Sequence, residues 1–139
     1  MATRSASTEL LAPPADVWAF LAEPRHLSDW WPNIASVEPD RRGLAAGARW
    51  RVRMREATWF RQAEADETLL VHAADLESRL AFELVRGKIR AELVLEETAP
   101  GRTRADLTVS GSLLGGFTRS LPDEALARLR ALVQTADVL

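Results

Sequence analysis

Few side chains in this sequence are able to do acid–base or metal chemistry. Cysteine and tyrosine are absent from the 139 residues, which excludes disulfides, thiolate catalysis and cysteine metal sites. The two histidines, His26 and His72, lie far apart, so we predict no metal site and no cofactor. His72 alternates with Leu69, Val71 and Ala73, which leaves its face ambiguous; if it points inward, it is the best candidate for an acid–base or ligand-polarising group. The sequence assigns no catalytic residue.

A stripe of four arginines is the most visible charge pattern. Arg49, Arg51, Arg53 and Arg55 occupy alternate positions and could bind an anion or a nucleic acid. The formal net charge of -2 gives no electrostatic reason to expect such a partner, and we expect Glu or Asp side chains opposite the stripe. We therefore interpret it as a solvated outer face with cross-strand ion pairs and predict no nucleic-acid partner.

Aromatic residues provide the remaining candidates. Trp30 and Trp31 precede a proline and could stack on a planar ligand, but such a corner is better interpreted as a structural staple because large aromatics dominate core burial. Trp59 and Phe60 lie in a stretch, residues 56–66, that is typical of either a long loop or a ragged strand. They either cover an apolar opening or pack back onto the sheet.

The periodicity of apolar residues predicts the elements that position these side chains. It is clearest where Trp50, Val52 and Met54 alternate with the arginines and must face inward. Helices are predicted from Pro14, over Arg25–Trp30 and over Leu121–Ala136. Alternation of period two predicts seven strands, over Thr3–Leu11, Ile34–Glu38, Arg49–Arg55, Thr68–Asp75, Arg79–Arg86, Ile89–Glu97 and Thr103–Ser112.

The order of the elements predicts the fold class. A seven-stranded antiparallel meander has one apolar face that must be covered, and the C-terminal helix carries the only long apolar stripe, with Leu126, Leu129 and Val133. We therefore predict one α+β domain over residues 1–139. A curved antiparallel sheet surrounds the long C-terminal helix, and two short helices lie between strands one and two.

The N-terminal third of the chain resembles a known superfamily. The segment from Leu10 to Trp18, LLAPPADVW, is followed by Trp30, Trp31 and Pro32. This pattern is similar to the opening of the START-like helix-grip superfamily (SRPBCC), also described as the polyketide cyclase/dehydrase and lipid transport family. The resemblance covers residues 8–37 in sequence and nearly the whole chain in element order. It implies a helix-grip fold enclosing an apolar cavity for a small hydrophobic ligand, and it is specific for fold rather than for function.

The predicted binding residues follow from this fold. Alternation directs apolar, non-titrating side chains inward, and the cavity mouth is expected at residues 56–66, at Gly87-Lys88 and at residues 113–117. The predicted ligand-binding residues are Trp50, Val52, Met54, Trp59, Phe60, His72, Phe82, Leu93, Leu107 and Phe117.

Such an apolar cavity favours a protein that binds or carries a lipid-, quinone- or polyketide-like molecule. The alternatives are a cyclase/dehydrase-type enzyme, favoured by an inward carboxylate or histidine beside a pocket water, and a co-chaperone-like interaction module, favoured by an exposed apolar groove. The sequence contains neither a signal peptide nor an apolar span of roughly 18 residues. We therefore expect a cytoplasmic protein without a membrane segment, and a homodimer is left open.

Overall fold

Strong alternation and proline-marked turns divide the described part of the chain into eleven elements. The computed structural model describes residues 2–57, 62–112 and 119–138. In chain order the elements are β1 (Ala2–Leu10), α1 (Pro14–Leu21), a short 3-10 helix (Pro24–His26), α2 (Leu27–Trp30), β2 (Ile34–Glu38), β3 (Arg49–Ala57), β4 (Gln62–Asp75), β5 (Arg79–Leu84), β6 (Ile89–Ala99), β7 (Arg102–Gly111) and α3 (Leu121–Val138).

The seven strands form one antiparallel sheet in the order β1-β7-β6-β5-β4-β3-β2. The helices between β1 and β2 separate these two strands in space. β1 pairs with β7, and β1 and β2 form the two opposite edges of the sheet. Strands β2 to β7 follow one another as a meander, as consecutive antiparallel strands usually do. The predicted seven-stranded α+β fold is confirmed.

The hairpin of β3 and β4 is longer than predicted. Residues 56–66 were predicted to form either a loop or a strand. The strand is correct wherever the structure describes these residues, because Arg55 pairs with Glu64 and Ala57 with Gln62. The acidic residues of this segment lie opposite the arginines, and their charge masked the alternation in the sequence. Trp59 and Phe60 lie outside the described residues.

The arginine stripe lies on the outer face of the sheet. The guanidinium of Arg53 lies 2.8 Å from Asp66 and 3.4 Å from Glu64, and that of Arg51 lies 3.8 Å from Glu38. Hydrogen bonding to Asp66 raises the pKa of Arg53 above its ordinary value, so this side chain remains charged. The interpretation as a solvated face with cross-strand ion pairs is confirmed.

Helix α3 covers the inner face of the sheet. Its apolar stripe of Ala125, Leu126, Leu129 and Val133 is buried, and the helix packs against β1, β7, α1 and α2. This arrangement confirms the predicted packing of the C-terminal helix on the sheet. The burial of this helical stripe against inward-facing strand residues removes apolar surface from water and so stabilises the fold.

The tryptophan pair forms the corner between α2 and the sheet. Trp30 and Trp31 are each 1% exposed and meet edge to face, with ring centroids 5.6 Å apart. Trp31 also packs edge to face against Phe82 of β5, at 5.1 Å. These geometries are the favourable ones for aromatic pairs. The interpretation of the pair as a structural staple is confirmed.

Two loop contacts fix the ends of the strands. The buried hydroxyl of Thr103 donates to the carbonyl of Ala12 at 2.8 Å and holds the start of β7 against the β1–α1 junction. The carboxylate of Asp40 accepts the backbone N–H groups of Arg42 and Arg49, both at 2.9 Å. These bonds, led by the one from Arg49, lower the pKa of Asp40, and they fix the point at which β3 begins.

Candidate functional site

A cavity of about 410 Å³ opens at one end of the sheet. It lies between the β3–β4 hairpin, the β5–β6 turn, the α2–β2 corner and the first residue of α3. Its volume falls within the range of roughly 300–1,000 Å³ that small-molecule sites occupy. Its apolar wall is formed by Trp31, Met54, Ala65, Leu84, Ile89 and Leu121.

Local backbone geometry shapes the cavity rim. Asn33 follows the buried Pro32 and adopts a φ of 66°, a left-handed conformation that asparagine tolerates better than most residues. Its carbonyl accepts the N–H of Arg55 at 2.7 Å. This bond joins the α2–β2 corner to β3, and the same strand presents the half-buried side chain of Met54 to the cavity.

The centre of the sheet, in contrast, is filled. The void enclosed by Trp30, Trp50, Phe82 and their neighbours holds only about 10 Å³, which is at the lower limit of the space that one water needs. The bulky indole side chains occupy the volume in which the sequence placed the ligand. The cavity therefore lies at the end of the sheet and not at its middle.

Apart from His72, the described residues predicted to bind a ligand fall into two groups on the inner face. Only Met54 lines the cavity of 410 Å³. The others are fully or almost fully buried in the core, namely Trp50, Val52, Phe82, Leu93 and Leu107. The predicted residues Trp59, Phe60 and Phe117 lie outside the described part of the chain.

His72 does not face the core. Its side chain is 40% exposed, and its Nε2 lies 2.9 Å from Oε1 of Glu83 on the neighbouring strand β5. A register shift between Val71 and Ala73 lies at this position. The irregular strand made its face ambiguous in the sequence. The condition under which His72 was the best candidate for an acid–base or ligand-polarising group, an inward side chain, is therefore not met.

Glu67 is an inward carboxylate that the sequence prediction missed. It lines the cavity and is 6% exposed. Its Oε1 accepts the N–H groups of Thr68 at 2.7 Å and Arg86 at 2.8 Å, and its Oε2 accepts that of Gly87 at 2.8 Å. The carboxylate thereby fixes the backbone of the β5–β6 turn.

A signal for Glu67 was present in the sequence. Counting back by two from Val71 and Leu69, which face inward, leads to Glu67 and then to Ala65. The predicted start of the strand at Thr68 cut this series short. A strand extended by four residues would have placed one carboxylate on the inner face.

With this geometry established, comparisons assign the chain to a family. A family model described as polyketide cyclase / dehydrase and lipid transport matches residues 1–136. The chain belongs to this family. The match confirms the resemblance inferred from the APPADVW and WWP segments. No curated protein matches the chain.

Solved structures share the fold of this family member at low sequence identity. Protein NE0264 from Nitrosomonas europaea is 19% identical, with a TM-score of 0.70, and the match covers 99% of this chain and 97% of that one. Ara h 8.0201 is 16% identical, with a TM-score of 0.67 and coverages of 96% and 98%. TTHA0849 from Thermus thermophilus is 22% identical, with a TM-score of 0.65 and coverages of 97% and 99%. At these identities the likeness establishes the fold alone.

A second groove, also of about 410 Å³, runs along the outside of the contact between β1 and α3. Its lining mixes the apolar Ala6 and Leu126 with the polar Ser7, Arg130 and Gln134.

Within residues 2–57, 62–112 and 119–138, no three His, Asp or Glu side chains are grouped so that they could hold a metal ion. In the same part of the chain, every helix is too short or too polar to cross a membrane.

Proposed function

We propose that this protein binds or carries a small hydrophobic molecule, lipid-, quinone- or polyketide-like, in the cavity at the end of the sheet. The observation that carries the proposal is a cavity of about 410 Å³ whose lining combines apolar side chains, among them Met54, Leu84 and Ile89, with polar ones at its rim. Transfer of apolar ligand surface from water to such a wall is worth about 25 cal/mol per Å². The description of the family, which names lipid transport beside cyclase and dehydrase activity, is consistent with this class of ligand.

The proposed binding residues combine the predicted set with the cavity wall. Met54 belongs to both, and Trp31, Leu84, Ile89 and Leu121 are added to it. The predicted core residues act indirectly, since their bulk closes the middle of the sheet around Trp50 and Phe82. Trp59, Phe60 and Phe117 remain predicted residues of the mouth.

A cyclase- or dehydrase-type enzyme is the second candidate, and Glu67 is the observation that favours it. A carboxylate on the cavity wall is the kind of group that acid–base catalysis requires. However, both of its oxygens are engaged by backbone N–H groups, which accounts for its position without a reaction. Binding is therefore the first proposal.

The test is a titration with N-phenyl-1-naphthylamine, a neutral probe whose fluorescence rises in apolar surroundings. We expect saturable binding at one site per chain. The variant Met54→Arg should weaken binding by at least about tenfold, because it places a charge at an apolar wall. The matched control is Leu76→Arg, which adds the same charge at a side chain that is 74% exposed and outside the cavity wall.

A second variant keeps the test valid if Met54→Arg fails to fold. Ala65→Leu adds apolar volume at the cavity wall and no charge, so it should reduce binding by occupying the space. Circular dichroism would verify the fold of each variant. Folded wild-type protein that binds no probe, or variants that all bind like the wild type, would contradict the proposal.

A further inference from the structure

Glu67 is the one charged residue that is buried among the side chains that the structure describes. Burial of a carboxylate is costly unless hydrogen bonds replace its hydration, and three backbone N–H groups provide that replacement here. The bonds are divided unequally between its oxygens. Oε1 accepts two of them and Oε2 accepts one.

This division leaves acceptor capacity at Oε2. An ionised carboxylate offers about four acceptor positions, two on each oxygen. Oε1 is saturated by Thr68 and Arg86, whereas among the described residues Oε2 accepts only the N–H of Gly87. Because Glu67 lines the cavity, a ligand that carries a hydrogen-bond donor could use the remaining position.

The charged groups that the structure describes around the cavity leave the carboxylate of Glu67 without a cationic partner. Among the described residues, no ion pair joins Glu67 to a cation. Arg55 and Arg86 also border the cavity, but both are exposed, so water screens them. The guanidinium of Arg86 is further engaged by the carbonyl of Asp66 at 3.0 Å. The buried part of the wall therefore carries an unpaired negative charge.

We propose that Glu67 determines which apolar molecules the cavity accepts. It favours an apolar body that bears an O–H or N–H donor, such as a phenol or an alcohol, and disfavours a carboxylate. The inference rests on the proposed function, since it concerns ligands of the same cavity. The donor group of the ligand bonds to Oε2, and the apolar body lies against Met54, Leu84 and Ile89.

The experiment compares three probes that share one ring system: naphthalene, 2-naphthol and 2-naphthoate, titrated calorimetrically near neutral pH. Hydrophobicity alone would make naphthalene the tightest of the three. We expect 2-naphthol to bind about tenfold more tightly than naphthalene, as a hydrogen bond to a charged group allows. We expect 2-naphthoate to bind more weakly than naphthalene, because two carboxylates repel each other in a poorly solvated site.

Variants test whether Glu67 causes this selectivity between the probes. Glu67→Gln removes the negative charge with little change of shape, so the preference for 2-naphthol and the discrimination against 2-naphthoate should both fall to within about threefold of naphthalene. The matched control is Glu83→Gln on β5. Its carboxylate contacts His72 and Arg90 and is not part of the cavity wall, so it should keep the wild-type order of probes.

The outcomes separate the two proposals. If no probe binds to folded wild-type protein, the proposed function fails and this inference fails with it. If naphthalene binds and 2-naphthol binds no more tightly, the inference alone is overturned and Glu67 only fixes the turn. If Glu67→Gln binds all three probes as the wild type does, the inference is likewise overturned. If that variant does not fold, the order of the three probes on the wild type still decides.

Discussion

At the scale of single residues, polar side chains that accept backbone N–H groups hold the turns of this fold. Asp40 does so before β3 and Glu67 does so at the β5–β6 turn. The exposed Asp40 is the simpler case, because its carboxylate contacts only a loop and the first residue of a strand. The two residues use the same chemistry in different surroundings.

Replacement of Asp40 should change the acid stability of the protein. The backbone bonds, led by that from Arg49, lower the pKa of Asp40 in the folded chain relative to the unfolded chain. Its stabilising effect is therefore complete above the ordinary carboxyl pKa of about 3.9 and is lost as the pH falls through the lower folded value. We expect the difference in free energy of unfolding between wild type and Asp40→Asn to be constant near neutral pH and to shrink in acid.

Urea unfolding of both proteins at a series of pH values measures this difference directly. The same series at neutral pH serves as the internal control, because no carboxyl group near its ordinary pKa titrates there. A difference that stays constant down to about pH 3 would show that Asp40 has no lowered pKa in the folded chain.

At the scale of elements, the alternation of strand β3 places charged side chains on one face of the sheet and apolar side chains on the other. Its arginines face water and form ion pairs with carboxylates of β2 and β4. Its apolar residues, Trp50 and Val52, are buried on the other face. This separation was predictable from the sequence, because a period of two leaves only one assignment of faces.

The double variant Arg51→Gln, Arg53→Gln should therefore be nearly as stable as the wild type. Exposed ion pairs contribute little, so we expect the Tm to fall by no more than about 2 °C and probe affinity to stay unchanged. The matched control on the same strand is Val52→Ala, which removes buried apolar volume and should lower the Tm several times further. A double variant that loses more stability than Val52→Ala, or that loses the probe, would contradict a solvated outer face.

Strand β4 marks the limit of sequence-based prediction. Its C-terminal part was predicted because Leu69 and Val71 alternate with polar residues. Its N-terminal part was left open between a loop and a strand, since Glu64 and Asp66 belong there as partners of arginines on β3, and propensity scales disfavour acidic residues in strands. Pairing between strands overrode local propensity, and Glu67 was lost with the segment.

At the scale of the whole molecule, the sequence predicted the fold correctly, whereas among the described residues its predicted binding set shares only Met54 with the lining of the cavity. The inner face of the sheet was recognised from alternation, and the family from its N-terminal segment. How much of that face remains open depends on how far Trp30, Trp31 and Trp50 fill the interior, which is a property of three-dimensional packing. The periodicity of the sequence does not show how far the interior is filled, so core residues and cavity residues could not be distinguished from the sequence.

A pair of truncations should distinguish core from cavity. Leu93 is fully buried and does not border the cavity, so Leu93→Ala should cost about 2–5 kcal/mol in free energy of unfolding and change probe affinity by less than about threefold. Met54→Ala, at the half-buried cavity wall, should cost less stability and weaken the probe more. Urea unfolding and probe titration of both variants measure the two effects.

The opposite result would indicate that the ligand binds in the middle of the sheet. It would be seen as a large loss of affinity in a folded Leu93→Ala protein together with wild-type affinity in Met54→Ala. Such a pattern would require the interior around Trp50 and Phe82 to open when a molecule binds.

The pairing of β1 with β7 has a consequence for how the molecule is made. β1 pairs with a strand about a hundred positions later in the chain, and ribosomes add roughly 5–20 residues per second. For on the order of 5–20 seconds after β1 has been made, its partner β7 does not yet exist, and α3 is made later still. The edge closed by β1 is therefore completed only after β7 has been made, and until then the nascent chain exposes the unpaired backbone of β1 to other chains.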